Sequence, residues 1–171
     1  MCIRDSYAII VMGGNEPSSR QLYTFYWLDT SSMHQELESY GFDEDEIYFL
    51  SYGDSADNHP EIVDGSSTVA NIEAAYAWAA SVCDEDDLLY IYWIDHGDTN
   101  MVVNGDTIRV CNLVAHDGRI TDHEYGDLVA PITAKQIIGA HNPCFSGMLF
   151  DDVVRENMIT ITSQDLSLIH I

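Results

Sequence analysis

The stretch LLYIYWIDHGD, residues 88–98, decides the fold. Its first seven residues are all apolar or aromatic, which predicts a strand buried on both faces, as in the centre of a parallel sheet. The chain then turns abruptly polar, with a histidine and a glycine at positions 96 and 97. Polar side chains directly after a buried strand predict a site at one edge of the sheet, where α/β proteins bind their ligands.

The remaining elements predict that this strand belongs to an α/β sheet, mostly parallel, because strands and helices alternate along the chain. Short apolar runs predict strands, and apolar positions near helical spacing predict helices. A capping-box pattern that begins at Thr121 predicts a short helix before Pro131. The predicted strands are 7–14, 47–52, 88–94, 135–141 and 158–162; the other predicted helices are 20–40, 69–82 and 151–156; a hairpin is predicted at 101–110.

The two ends of the chain are related to each other at the level of DNA. Residues 1–6, MCIRDS, and residues 166–171, LSLIHI, are translations of opposite strands of one short sequence. They resemble a transposon adapter from sequencing libraries read through as protein, so we exclude both from fold reasoning. We expect residues 7–165 to form one domain, and we expect this domain to be a fragment truncated at its C-terminal side.

The composition is strongly acidic, with 29 Asp and Glu against 6 Lys and Arg and a net charge of −23. Such a surface repels nucleic acids and anionic membranes, and no apolar run reaches the roughly 18 residues of a membrane span. We favour a solvated surface adapted to high salt over a calcium-responsive surface. The acidic runs 43–46 and 84–87 lack the alternating spacing of an EF-hand loop. The sequence therefore predicts no metal or cofactor, with calcium activation as an alternative.

Reactive side chains follow two of the predicted strands. His96 comes after the strand 88–94, and Cys144 comes after the strand 135–141. Because the carboxyl ends of neighbouring parallel strands lie side by side, we expect the two side chains to meet. The pKa of an ordinary thiol is about 8.5 and that of an imidazole is about 6.5. An adjacent histidine can therefore activate a cysteine by favouring its thiolate form. Gly97 lets backbone N–H groups approach a substrate carbonyl.

This order of motifs resembles the caspase-like cysteine peptidases, which include caspases, metacaspases, legumains and gingipains. The DHG at 95–97 is most similar to legumains, and the CFSG at 144–147 is similar to legumains and metacaspases. The resemblance implies a three-layer α/β fold with a mostly parallel central sheet and helices on both faces. It also implies His96 as the catalytic histidine, Cys144 as the nucleophile, and the backbone N–H groups of Gly97 and Cys144 as the oxyanion hole.

The chain departs from this family beside the nucleophile. Two residues before the cysteine, caspases carry Gln, and legumains and metacaspases carry Glu or Asp, a residue that helps to line the primary specificity pocket. Here that residue is the neutral Asn142, and it is followed by Pro143. Met148 stands where relatives often have a small residue. Three residues are therefore candidates for lining the substrate pocket or for orienting the reactive groups: Asp95, Asn142 and Ser146.

Three functions are compatible with these residues. The first is a cysteine endopeptidase that cleaves a peptide or protein substrate through a thioester intermediate. The second is a catalytically inactive caspase-like module that binds or scaffolds, favoured by the departures beside the nucleophile. The third is a transpeptidase or ligase of the legumain type. The oligomeric state and the compartment, cytoplasmic or exported, stay open.

The other reactive side chains have simpler interpretations. Cys83 and Cys111 lie in apolar surroundings, as inert free thiols usually do. Four further residues have side chains that could bind a metal ion: His116, Asp117, Asp122 and His123. We assign them to a polar turn and a helix cap in preference to a metal site. Asp95 either orients His96 or accepts hydrogen bonds from a nearby turn. Tyrosines and tryptophans at helical spacing are assigned to the core.

Overall fold

The apolar run at 88–94 forms an inner strand of a six-stranded sheet in which every described pairing is parallel. The computed structural model describes residues 5–14, 20–52, 59–99, 101–103, 106–108 and 110–163. The large sheet has the order β11-β10-β4-β1-β2-β3. Its strands are β1 (Ser6–Met12), β2 (Ile47–Ser51), β3 (Gly65–Ser66), β4 (Leu88–Ile94), β10 (Gln136–His141) and β11 (Met158–Thr162).

Short antiparallel strands between β4 and β10 form two further sheets. A three-stranded sheet contains β5 (Gly97–Asp98), β8 (Asn112–Val114) and β9 (Arg119–Thr121). A two-stranded hairpin contains β6 (Met101–Val103) and β7 (Asp106–Ile108). The sequence predicted the hairpin; its turn residues 104–105 lie outside the described residues. It did not predict the three-stranded sheet, because strands of two or three residues are too short to show a period.

Helices cover both faces of the large sheet. They are α1 (Arg20–Ser39), α2 (Val69–Val82), α3 (Asp122–Val129) and α4 (Phe150–Val153), with two 3-10 turns at Glu44–Glu46 and Ser146–Leu149. On β1, Ala8 and Ile10 share a core with α1, while Ile9 and Val11 share the opposite core with α2 and α3. Alternate residues of a strand point to opposite faces, so this division places the sheet between two helical layers. The expected three-layer α/β fold is confirmed.

Local sequence signals explain where these helices begin and end. Thr68 caps α2 by accepting a hydrogen bond from the backbone N–H of Asn71. Thr121 and Glu124 form the predicted capping box at the start of α3. Gly41, just after α1, has a φ of 96°, a conformation that glycine adopts without strain. The predicted helix 151–156 is wrong in extent: α4 begins one residue earlier, ends at Val153, and follows a 3-10 turn.

The strand order puts a change of direction between β1 and β4. From β1 the chain moves outward through β2 and β3, and it then returns to build β4, β10 and β11 on the other side. The carboxyl ends of strands at such a point flank a crevice. Met12 pairs with Ile94, and Trp93 pairs with His141, so the three strands end at nearly the same level.

No helix in the described part of the chain is both long and apolar enough to cross a membrane.

Candidate active site

The structure brings the two predicted motifs to one edge of the sheet. β4 and β10 are neighbours, and the backbone N–H of Asn142 donates to the carbonyl of Trp93 at 2.8 Å, just past the end of β10. His96 lies three residues beyond Trp93, and Cys144 lies two residues beyond Asn142. Both side chains are half-buried. The parallel pairing of the two strands therefore brings residues that are 48 positions apart in sequence to the same edge of the sheet.

Direct backbone contact joins Gly97 to Cys144. A Cβ atom on residue 97 would overlap the carbonyl oxygen of Cys144 and would lie 2.8 Å from its carbonyl carbon and 3.0 Å from its nitrogen. Atoms of Cys144 occupy the space that any other side chain would need, so only glycine fits without a backbone shift. The two residues whose N–H groups the sequence predicts to form an oxyanion hole are therefore in backbone contact.

A tight turn presents Cys144. Phe145 has φ 66° and ψ 7°, and it is the sole residue other than glycine with a positive φ among those that the structure describes. Such a conformation in a bulky residue is uncommon and has to be held by its surroundings. Ser146 is fully buried, and its hydroxyl donates to the carbonyl of His141 at 3.0 Å. Ser146 thus ties the turn to the end of β10, so the structure favours an orienting role for it over a pocket-lining one.

The three cysteines of the described chain differ in their surroundings. Cys83 and Cys111 are buried, and burial raises the pKa of each thiol to about 12, with nearby carboxylates adding to the effect. Neutral thiols of this kind react slowly, because the thiolate is the nucleophile. Cys144 is half-buried and belongs to the strand-end site. The interpretation of Cys83 and Cys111 as inert thiols agrees with their burial.

Asn142 uses its side chain within the protein. Its side-chain amide donates to the hydroxyl of Tyr92 at 3.0 Å, while its backbone carbonyl accepts a hydrogen bond from the hydroxyl of Ser163 at 2.8 Å. These bonds connect the loop after β10 to β4 and to the end of β11. Of the two roles that the sequence leaves open for Asn142, the orienting one therefore has direct contacts to support it.

Asp95 faces the end of β1. It is buried, and a Cβ atom on Gly13 would lie 2.8 Å from Oδ2 of Asp95. A small pocket here is lined by the ends of β1 and β4 and by three tyrosines; its lining residues are Met12, Gly13, Gly14, Tyr23, Tyr26, Tyr52 and Asp95. The pocket occupies the crevice between β1 and β4 that the strand order creates, and Asp95 is part of its lining.

The sequence missed one residue of this site. The ring of Tyr26, on α1, meets the imidazole of His96 at a right-angled orientation, with 6.1 Å between ring centroids and 78° between planes. Helical spacing assigned Tyr26 to the core, but it is only half-buried. No local signal distinguishes it from the core aromatics of α1, because only the packing of α1 over β1 brings it to the edge of the sheet.

A buried histidine lies beneath the turn that carries Cys144. His141 is almost fully buried, and its Nε2 shares a hydrogen bond of 2.6 Å with the hydroxyl of Tyr125. Burial lowers the pKa of His141 to about 4, although the backbone at Gly139 and Ile161 favours the charged form. His141 is therefore neutral near pH 7. No pattern in the sequence predicts a role for this residue.

Side chains of α3 and α4 contain the ligand types of a metal site. Asp122, His123 and Asp152 can each offer one ligand atom within 4.8 Å of the others. Asp122 already accepts hydrogen bonds from the backbone N–H groups of Cys111 and His123. Asp152 accepts a hydrogen bond from Nδ1 of His123, and this bond raises the pKa of the His123 imidazole. All three side chains are thus engaged in bonds within the protein, and the expectation that no ion is bound here stays a prediction.

The other two residues of that group lie at a separate place. Nδ1 of His116 is 2.9 Å from the hydroxyl of Ser66. Asp117 accepts a hydrogen bond from the backbone N–H of Val69, the first residue of α2. These contacts fit the predicted polar turn and helix cap, and they do not bring His116 and Asp117 into the cluster around Asp122.

Comparison with known proteins supports the fold. No family model matches the chain, and no curated protein matches it. Among solved structures, the chain is similar to the crystal structure of protein GSU0716 from Geobacter sulfurreducens, with a TM-score of 0.60 and 14% sequence identity. The match covers 91% of this chain and 58% of the Geobacter protein, so the chain spans a little over half of that protein's length. At this identity the similarity supports the α/β architecture alone.

Proposed function

We propose that this chain is a cysteine endopeptidase of the caspase-like type, in which His96 and Cys144 cleave a peptide bond through a thioester. The contact between the backbones of Gly97 and Cys144 is the observation that carries the proposal. It joins the two motifs at the carboxyl edge of a parallel sheet, and it requires a glycine after the histidine. A buried structural thiol would need neither the glycine nor the turn at Phe145.

The proposed reaction has two stages. The Cys144 thiolate attacks the carbonyl carbon of the substrate, and the N–H groups of Gly97 and Cys144 donate hydrogen bonds to the oxyanion that forms. The bond from carbon to nitrogen breaks, and His96 gives the leaving amine a proton. Water then adds to the thioester, His96 takes up a proton from it, and the carbon–sulfur bond breaks to release the acid and restore the Cys144 thiolate beside a protonated His96.

Selective alkylation tests whether the site is assembled. We expect iodoacetamide to modify Cys144 faster than Cys83 and Cys111 in the folded protein, with each site followed by peptide mass spectrometry. The reason is that burial raises the pKa of the Cys83 and Cys111 thiols to about 12, so that little thiolate is present to react. His96→Ala should change the pH profile of modification at Cys144. Equal rates at all three cysteines would argue for an inactive or latent form.

Turnover tests the reaction itself. Purified Cys144→Ala and His96→Ala proteins should fold and should lose cleavage of a peptide library that the unaltered chain cleaves. Circular dichroism and the urea midpoint serve as folding controls. Cleavage that persists in the Cys144→Ala protein would contradict the proposal.

A second candidate is a caspase-like module that binds without catalysis. The amide of Asn142 is engaged with Tyr92, so the position that carries an acid or Gln in the family is here part of the scaffold. Absence of turnover with a slowly reacting Cys144 would favour this candidate. A ligase is distinguished by its product: with a peptide amine present, ligation would replace hydrolysis.

A further inference from the structure

Tyr26 contacts His96 from a part of the chain that neither motif includes. α1 begins at the edge of the sheet where His96 lies, and Tyr26 is in its second turn. The two rings are 6.1 Å apart between centroids, in a right-angled arrangement. Offset and edge-to-face arrangements of this kind are the preferred geometries of aromatic pairs.

The turn of α1 that carries Tyr26 is anchored to the sheet. Thr30 is fully buried, and its hydroxyl donates to the carbonyl of Tyr26 at 2.8 Å. The same hydroxyl lies 3.8 Å from the sulfur of Met12, the last residue of β1. Tyr26 itself packs against the core between α1 and the sheet. Its ring therefore has a fixed position relative to the ends of β1 and β4.

His96 needs such a support if it acts as proposed. It lies in a two-residue segment between β4 and β5, and its imidazole is in ring contact with Tyr26. Proton transfer to a leaving group requires the donor nitrogen to be within hydrogen-bond reach of it. A ring contact that favours one orientation of the imidazole raises the fraction of time in which the donor nitrogen is within reach.

We propose that Tyr26 is a positioning residue for His96: its ring fixes the orientation of the imidazole that donates the proton. This inference rests on the proposed peptidase function. Aromatic pairs contribute enough to change an equilibrium by roughly three- to tenfold beyond their burial. Loss of the ring should therefore lower the rate of the chemical step by a factor of that order and leave substrate binding nearly unchanged.

Three variants test this role. Tyr26→Leu removes the ring but keeps an apolar side chain with good helix propensity. Tyr26→Phe keeps the ring and removes only the hydroxyl. Phe25→Leu is the matched control, because Phe25 also carries an aromatic ring on α1 but is exposed, and no ring contact between it and His96 occurs among the described residues. The urea midpoint of each variant monitors folding.

Two measurements on these proteins give the answer. With a peptide that the unaltered chain cleaves as substrate, Tyr26→Leu should lower kcat by roughly three- to tenfold and change KM by less than about twofold. Tyr26→Phe should keep the kcat of the unaltered chain. In proteins with ¹³C-labelled histidine, the Cε1–H resonance of His96, assigned with His96→Gln, should move in Tyr26→Leu because the ring current is lost. The Phe25→Leu protein should resemble the unaltered chain in both.

The outcomes separate this inference from the function on which it rests. If cleavage needs Cys144 and His96 but Tyr26→Leu and Phe25→Leu have equal effects, or if Tyr26→Phe lowers kcat as much as Tyr26→Leu does, the positioning role is wrong and the peptidase stands. An unmoved His96 resonance in Tyr26→Leu would also overturn it. If the Cys144→Ala protein still cleaves, or if no peptide is cleaved at all, the proposed function fails and the role of Tyr26 in it fails too.

Discussion

Acid should destabilise this protein through His141. The pKa of a histidine imidazole is about 6.5 in an unfolded chain. In the folded protein, burial lowers the pKa of His141 to about 4. As the pH falls below about 6.5, the unfolded chain takes up a proton that the folded protein refuses. The unfolded state therefore gains stability throughout this window. Below about pH 4 both states carry the proton, and the loss is complete.

The two pKa values set the size of this loss. Each pH unit in which only the unfolded state binds the proton removes about 1.4 kcal/mol from the free energy of unfolding. Between 6.5 and about 4 the total is about 3 kcal/mol, with full stability above the window. Because whole domains have only about 5–15 kcal/mol of stability, this single group should be visible in a denaturation experiment.

Urea denaturation from pH 7 to pH 4, followed by tryptophan fluorescence, measures the effect. Surface carboxylates also titrate in this range, so the comparison is with His141→Gln, which keeps a polar group near Tyr125 but has no proton to bind. The pH dependence should be smaller in this variant by about 3 kcal/mol over the window. Tyr125→Phe is the matched control: it removes the hydrogen bond but leaves His141 buried, so the pH dependence should persist.

Equal pH dependence in the unaltered chain and in His141→Gln would refute this reasoning. It would mean that the imidazole of His141 is protonated in the folded protein as readily as in the unfolded one, and hence that burial does not control its charge.

Two further perturbations test the site and the surface. Gly97→Ala should lower the rate of alkylation at Cys144 by about 100-fold, and any rate of peptide cleavage by the same factor. The reason is that the new Cβ overlaps the Cys144 carbonyl and must displace the turn. Unchanged rates would contradict the close contact between the two backbones. Raising NaCl from 0.1 to 1 M at pH 7 should raise the free energy of unfolding by about 1 kcal/mol, which corresponds to roughly 2–4 °C in the thermal midpoint. The chain has a net charge of −23, and its self-repulsion weakens because the screening length falls from about 10 to about 3 Å. The gain should shrink at pH 4, where many carboxylates are protonated, and a constant gain would argue against self-repulsion.

Local patterns in the sequence were sufficient for most elements. β1, β2, β4, β10 and β11 all have runs of apolar residues long enough to predict a strand, and the cap at Thr121 predicts the start of α3. The extent of α4 was wrong, because its capping signals are weak and a 3-10 turn precedes it. β3, β5, β8 and β9 escaped prediction because a strand of two or three residues is defined by its partner and not by its own composition.

The sequence by itself determined the α/β class, the burial of β4 and the positions of His96 and Cys144 at the ends of two strands, because strand periodicity and chain order are local properties. The tertiary structure alone decided that Gly97 touches Cys144, that Tyr26 meets His96 and that Asn142 bonds to Tyr92. Each of these contacts joins residues from different elements. They depend on the order of strands in the sheet and on the packing of α1 over it, and no spacing along the chain encodes a distance between two elements.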